Sequence, residues 1–140
     1  MIKVKALALI VRPVDGALLV SEGEDGSSNG FARLLGGHVE FGELAVDALR
    51  REFREELDCD VADISLVTVM ENRFVLNGVA GHEVIFVFGC DLADASLYER
   101  EAIPILDVPG LDAVWWSPRT HRSRLVPDGL SAVIDQRRRA

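Results

Sequence analysis

The hydrophobic positions change period along the chain, and the changes mark its elements. Residues 3–12 begin with Lys3 and Lys5 alternating with apolar neighbours and continue as Leu7-Ala8-Leu9-Ile10-Val11. With residues 17–21 they predict two strands around a turn at Val14-Asp15-Gly16. The polar, glycine-rich stretch Gly23 to Gly30 predicts a surface loop, after which Arg33-Leu34-Leu35 leads into Gly36-Gly37. Residues 43–57 are the only long segment with strong helix formers and neither Gly nor Pro. Residues 64–74 and 83–91, rich in Val, Ile and Phe, read as paired strands joined near Asn77-Gly78. Residues 94–102 fit a short helix or a loop. Val114-Trp115-Trp116 predicts a last strand whose two indoles face opposite sides. Asp128 is placed to cap a terminal helix reaching Arg137, with the arginines beyond it a solvated helix end. Strands before, between and after few helices give a mixed α/β class, and one domain spans residues 1–140.

On a helical wheel of about 100° per residue, residues 43–57 separate into faces. Glu43, Asp47, Arg50 and Arg54 gather at a solvent pole, while Ala45, Leu49, Phe53 and Leu57 form an apolar stripe. Glu52, Glu55 and Glu56 fall between that stripe and Ala48. Three carboxylates at i, i+3 and i+4 repel one another and lose hydration beside packed side chains. Near the C-terminal end of a helix they also oppose the helix dipole. A divalent cation with oxygen ligands removes the conflict. Pairing with Arg51 or Arg54 is the alternative, worth a few tenths of a kcal/mol per pair.

Composition narrows the class. The chain has 140 residues, 49% of them hydrophobic and 27% charged, enough for one core without staples. The formal charge of −8 disfavours nonspecific nucleic-acid binding. It is unevenly spread: residues 1–118 carry 21 acids and 9 bases, residues 119–140 carry 2 acids and 6 bases. Two cysteines, Cys59 and Cys90, lack metal-type spacing and are expected as reduced, buried thiols. No apolar run reaches the roughly 20 residues of a membrane span. Arg12-Pro13 and Asp15 interrupt the apolar start and no small-residue cleavage site follows, so a cytoplasmic location is expected.

From Gly37 to Cys59 the chain reads GHVEFGELAVDALRREFREELDC. Gly37, five residues, Glu43, seven residues and then Arg51-Glu52-Phe53-Arg54-Glu55-Glu56-Leu57-Asp58-Cys59 closely resembles the Nudix (MutT-like) hydrolase box. Asp58 stands where the family has Gly. That Gly suits a left-handed helix cap, which Asp tolerates better than most residues. Leu35 stands where many members have Pro.

The resemblance implies a Nudix-type α/β/α sandwich with a mixed β-sheet and the box as loop–helix–loop. It also implies hydrolysis of a pyrophosphate bond in a nucleoside diphosphate linked to another moiety, with Mg²⁺ as cofactor and Mn²⁺ as a substitute. By motif position Glu52, Glu55 and Glu56 are metal ligands, joined by the Gly37 carbonyl, and Arg51 holds the box carboxylates in place. Glu43, at the helix start, has structural capping as its simpler role. Glu40, Glu99, Glu101 or a box Glu is the general base. Arg33, Arg73 and Arg12 have guanidinium groups suited to phosphate, and Phe31, Phe74, Tyr98 or Trp115 could stack on a base, although surface pairing and core packing are the commoner fates. Signals of the ADP-ribose, dinucleoside polyphosphate, NADH and coenzyme A subclasses are missing, which leaves nucleoside triphosphates and nucleotide sugars. The expected partner is a small phosphorylated nucleotide, with no nucleic acid and no membrane; a homodimer is the family's suggestion. A nucleotide-binding regulator without hydrolysis is the alternative, and an interaction module with an accidental resemblance a third class. Residues 37–59 hold seven acids and three arginines, half of the formal charge surplus. Bound cations would turn that acidic region into a phosphate site.

Overall fold

The computed structural model describes residues 1–139; Ala140, the last residue of the expected domain, lies outside them. Strands β1 (Lys3–Leu9), β2 (Leu18–Gly23), β3 (Phe31–Leu34) and β4 (Gly36–His38) precede helix α1 (Ala45–Leu57). The long strands β5 (Val61–Leu76) and β6 (Val79–Leu92) follow, then a 3-10 helix, Ala95–Glu99. Strands β7 (Ala102–Pro104), β8 (Asp112–Trp116) and β9 (Arg124–Val126) lead to α2 (Leu130–Arg139). The strands form two mixed sheets, ordered β4-β1-β6-β5 and β7-β8-β2-β3-β9. In the first, β1 runs parallel to β6 and antiparallel to β4. In the second, β3 runs parallel to β9 and the other pairs are antiparallel.

The near-continuous apolar run of β1 follows from cover on both faces. Ala6, Ala8 and Ile10 enter the core that holds Ala48, Leu49, Phe53 and Leu57 of α1. Leu7 and Leu9 enter a second core with Leu130 and Ile134 of α2. Trp115 belongs to the first core and Trp116 to the second, as the alternation along a strand requires. Their indole N–H groups donate to the Arg100 carbonyl at 3.0 Å and to Ser123 Oγ at 3.1 Å. The result is an α/β/α sandwich with two mixed sheets where a single mixed sheet was expected. The apolar stripe of α1 packs as the wheel implies, and burying Phe53 alone contributes on the order of 2 kcal/mol.

Several local expectations are met. Asn77 and Gly78 both have positive φ and close the β5–β6 hairpin, as a two-residue turn matching the strand twist requires. Cys59 and Cys90 are buried and unbridged, and burial pushes the Cys90 thiol up to about 12. Asp58 ends α1 at φ 49°, ψ 44°, its N–H donating to the Arg54 carbonyl.

Three expectations need correction. Trp116 does not end the last strand, because β9 follows and adds parallel to β3; Arg124-Leu125-Val126 is too short to carry a visible alternation. Asp128 does not cap α2: its carboxylate accepts from Arg124 Nη1 at 2.7 Å. Glu43 does not cap α1 either. Leu44 is the N-cap residue, without a side-chain cap bond, and the Glu43 carboxylate turns elsewhere.

Asp58→Gly should stabilise the protein by about 1 kcal/mol or less, because glycine relieves the left-handed conformation at the α1 cap. Urea unfolding measures this. A many-fold rise in turnover at unchanged stability would show that Asp58 acts on the chemistry instead.

Candidate active site

The site begins with two glycines on β4. Gly36, at φ 145°, lies so close to β1 that a Cβ there would sit 2.0 Å from the Ala6 carbonyl oxygen. Gly37 pairs with Ala6 across the ladder. A Cβ on Gly37 would fall 2.3 Å from Cδ of Glu52. The bare backbone of β4 is therefore what lets the carboxylate of Glu52 lie against the loop.

Arg51 organises the acids around it. Its Nε donates to Glu43 Oε2 at 2.9 Å and its Nη2 to Glu43 Oε1 at 3.0 Å, a bidentate pair. Nη2 also donates to the His38 carbonyl at 3.0 Å, which ties the helix to the loop after β4. Nη1 donates to Glu52 Oε1 at 3.0 Å and lies 3.4 Å from Glu55 Oε2. Glu40 stands further off, at 3.9 Å. Glu43 also accepts from the Glu40 N–H at 3.1 Å. The bonds from Arg51 and from that N–H hold the Glu43 carboxyl down at about 2. In turn the Glu43 bonds raise the Arg51 pKa above its ordinary value.

Glu56 sits deeper. Its Oε1 is buried and has no hydrogen-bond partner. Burial first, then the charges of Glu52 and Asp107, push its carboxyl up to about 8. Burial also raises Glu52, against the opposing pull of Arg51. An orphaned carboxylate oxygen beside other acids is an arrangement that a cation satisfies.

The acid facing Glu56 across this group was not singled out from the sequence. Asp107 lies in the turn between β7 and β8, and that turn is held to the helix end by the Leu106 N–H donating to the Glu56 carbonyl at 2.8 Å. Oxygens of Glu52, Glu55 and Asp107 all lie within 4.8 Å of one another. The available signal was an acid in a short apolar turn between Pro104 and Pro109-Gly110. Glu99 ends the exposed 3-10 helix and Glu101 is an exposed residue before β7; neither belongs to this group.

A cleft of about 300 Å³ opens between the sheets, lined by none of Glu52, Glu55, Glu56 and Asp107. Arg33, Arg73, Phe31 and Phe74 all line it, together with Lys5 and Arg124. The Arg33 guanidinium lies 5.8 Å from the centre of the Phe31 ring, and its charge acts on Glu56. Arg33 is thus the cleft residue whose charge also favours the ionised form of Glu56. Lys5 is already paired with the buried Glu83 at 2.7 Å. His38 is held below its usual range by burial and by Lys5 and Lys3. Arg12, Tyr98 and Trp115 are used structurally. Arg12 pairs with Asp15 and lies over Trp115, and Tyr98 stacks on Trp115 at 5.5 Å.

Comparison with known proteins bears on the fold and the family. A MutT NUDIX hydrolase from Burkholderia pseudomallei superposes with a TM-score of 0.68 at 23% identity, covering 96% of this chain and 97% of that one. A NUDIX hydrolase from Nitrosomonas europaea gives 0.67 at 18% identity, covering 99% and 90%. The E. coli ORF135 protein gives 0.58 at 23%, covering 99% and 91%. At these identities the likeness is one of fold. The family model described as the NUDIX domain matches residues 1–127, so the chain belongs to the NUDIX family and is a pyrophosphohydrolase of that type.

Proposed function

We propose that the protein hydrolyses, with Mg²⁺ or Mn²⁺, a pyrophosphate bond in a nucleoside diphosphate linked to another moiety, and that nucleoside triphosphates and nucleotide sugars are its substrate class. The observation that carries this reading is the group Glu52, Glu55 and Asp107 beside the unpartnered buried oxygen of Glu56. Glu52, Glu55 and Glu56, with the Gly37 carbonyl, are the residues that would hold the cation. When bound, the cation would supply positive charge for the phosphate oxygens and a lowered pKa for a water.

The remaining work falls to the chain itself. Arg51 fixes Glu52 and Glu55, so their oxygens need no reorganisation when substrate arrives. Arg33 reaches from the cleft wall toward the phosphates, and the cleft takes the nucleoside beside Phe31 and Phe74. Water attacks one phosphorus, the bond to the bridging oxygen breaks, and the departing phosphate keeps the electron pair. The water proton passes to a carboxylate. Glu52 and Glu55 are engaged by Arg51 and the Oε1 of Glu56 is buried, whereas Asp107 is exposed and has no bond to Arg51. Asp107 is therefore the acid free to accept it.

Three outcomes test the reading. Glu52→Gln and Glu56→Gln should each lower metal-dependent release of a nucleoside monophosphate by at least ~100-fold across a nucleotide panel, with the fold intact by circular dichroism. Full activity in either variant removes it from the ligand set; nucleotide binding without turnover in the parent protein would support the regulator instead. Gly37→Ala meets only the mobile end of Glu52, so it should fold normally and lose about 10²-fold in kcat/KM by moving that carboxylate. Unchanged turnover would mean that the close approach has no role.

The third outcome concerns pH. Glu43 is held well below its ordinary 4.5, so its contribution to stability is complete above that value and is lost as pH falls toward about 2. Glu43→Gln should therefore lower the thermal midpoint at pH 7 and converge on the parent protein near pH 2. Parallel curves across that range would refute the Arg51 anchoring.

A further inference from the structure

Strand β5 lies at the edge of its sheet, paired only with β6. Its first part is irregular, with register shifts between Ala62 and Ser65 and between Leu66 and Thr68. From Thr68 to Leu76 the register is unbroken, and the midpoint of that stretch is Asn72. Leu76 and Val79 flank the two-residue turn and form a hydrogen-bonded pair, which points the main-chain groups of Leu76, Phe74, Asn72 and Met70 at β6. Those of Val69, Glu71, Arg73 and Val75 then point outward. Among the described residues no main-chain bond reaches these four from another element.

The same four residues have exposed side chains, and Arg73 and Val75 also border the cleft. Val69 is 46% exposed and Val75 72%. Between them Glu71 and Arg73 have no ion-pair partner among the described residues. An open regular edge with apolar side chains is a template for another strand, and soluble proteins usually blunt such edges. Here the charges are arranged so that the strand complements itself.

We propose that this edge pairs antiparallel with β5 of a second copy, centred on Asn72, and joins two four-stranded sheets into one. In that register Glu71 faces Arg73 of the other copy and Arg73 faces its Glu71. Val69 and Val75 likewise face each other across the two-fold. Shifting the centre to residue 71 sets Glu71 against itself, and shifting it to residue 73 sets Arg73 against itself. Only the centre at Asn72 joins both charges to opposite partners while matching outward-pointing groups with each other. It also uses the whole regular stretch, since Thr68 then meets Leu76. A two-fold interface of this kind needs one patch that is its own complement, which this strand supplies.

Sedimentation over the micromolar range tests the proposal. The parent protein should dimerise. Glu71→Arg and Arg73→Glu should each weaken the dimer about tenfold or more, by placing like charges opposite, and the double reversal should restore it. Circular dichroism confirms the fold of each variant, which the exposed positions should not disturb. In addition, Asn72→Cys should give a disulfide-linked dimer with oxidised glutathione, because opposed non-hydrogen-bonded residues lie about 4.5 Å apart at Cα. A monomer throughout that range, or a dimer indifferent to both single reversals, would overturn the proposal. So would a dimer that Asn72→Cys fails to cross-link.

Discussion

The Arg51 guanidinium is the interaction on which the site depends. Collecting Glu52, Glu55, Glu56 and Asp107 in one place is electrostatically unfavourable, and a single cation shared by Glu43, Glu52 and Glu55 makes it tolerable in the free protein. The compensation is incomplete by geometry. Arg51 is occupied on one side by the bidentate Glu43 and by the His38 carbonyl, so it leaves Glu56 unreached. That remainder leaves the group short of positive charge rather than closed as a salt-bridge network. A buried carboxylate oxygen with no partner costs stability until a proton or a cation reaches it.

Holding this arrangement requires rigid support from both sides of α1. One side is the apolar stripe, with Leu49 and Phe53 fully buried. The other is the β1–β4 ladder, in which Gly36 and Gly37 bring main chain, not side chain, up to β1 and to Glu52. The turn with Asp107 is fastened to the far end of the same helix through the Glu56 carbonyl. The site thus rests on a helix, a strand and a turn that are each tied down independently of any ligand, which is the preorganisation that catalysis by charge stabilisation needs.

What could be read from the chain alone follows the range of the physics involved. The α1 stripe, the Asn77-Gly78 turn and the opposed tryptophans rest on periodicity or on local backbone preference, and each is found. Asp58 shows the same thing at one residue, since a left-handed cap depends on its own φ and ψ. The box carboxylates were legible because helical spacing places them together, yet the wheel left open whether Arg51 satisfied them all. The structure answers that with Glu52 and Glu55 bonded to Arg51 and one oxygen of Glu56 left without a partner. Asp107, by contrast, is 51 residues from Glu56 in sequence, and only the docking of the β7–β8 turn brings it near. The fate of Asp128 has the same cause: a nearby cap position lost to Arg124, whose own place is set by β9 pairing with β3. Glu43 was misread because a charge at a helix start favours capping, while a guanidinium two turns along offered two bonds instead of one.

The period of two in β5 connects the cleft to the open edge. Residues Asn72, Arg73, Phe74, Val75 and Leu76 all border the cleft, and the main-chain groups of Asn72, Phe74 and Leu76 face β6. The main-chain groups of the intervening residues are therefore left without a strand to pair with, among the described residues. On a short strand this would be a minor feature. On a 16-residue strand that extends past the sheet core it is a nine-residue template that some partner or some blunting device must answer. No proline lies within it, and its two charges have opposite sign, so they do not repel a copy of themselves. A sequence selected only to keep this edge solvated would be served by two like charges. Alternation of Glu71 with Arg73, set symmetrically between two valines, is instead what a self-pairing strand requires. The strand that walls the cleft would then be stiffened by the sheet continuing on its outer side.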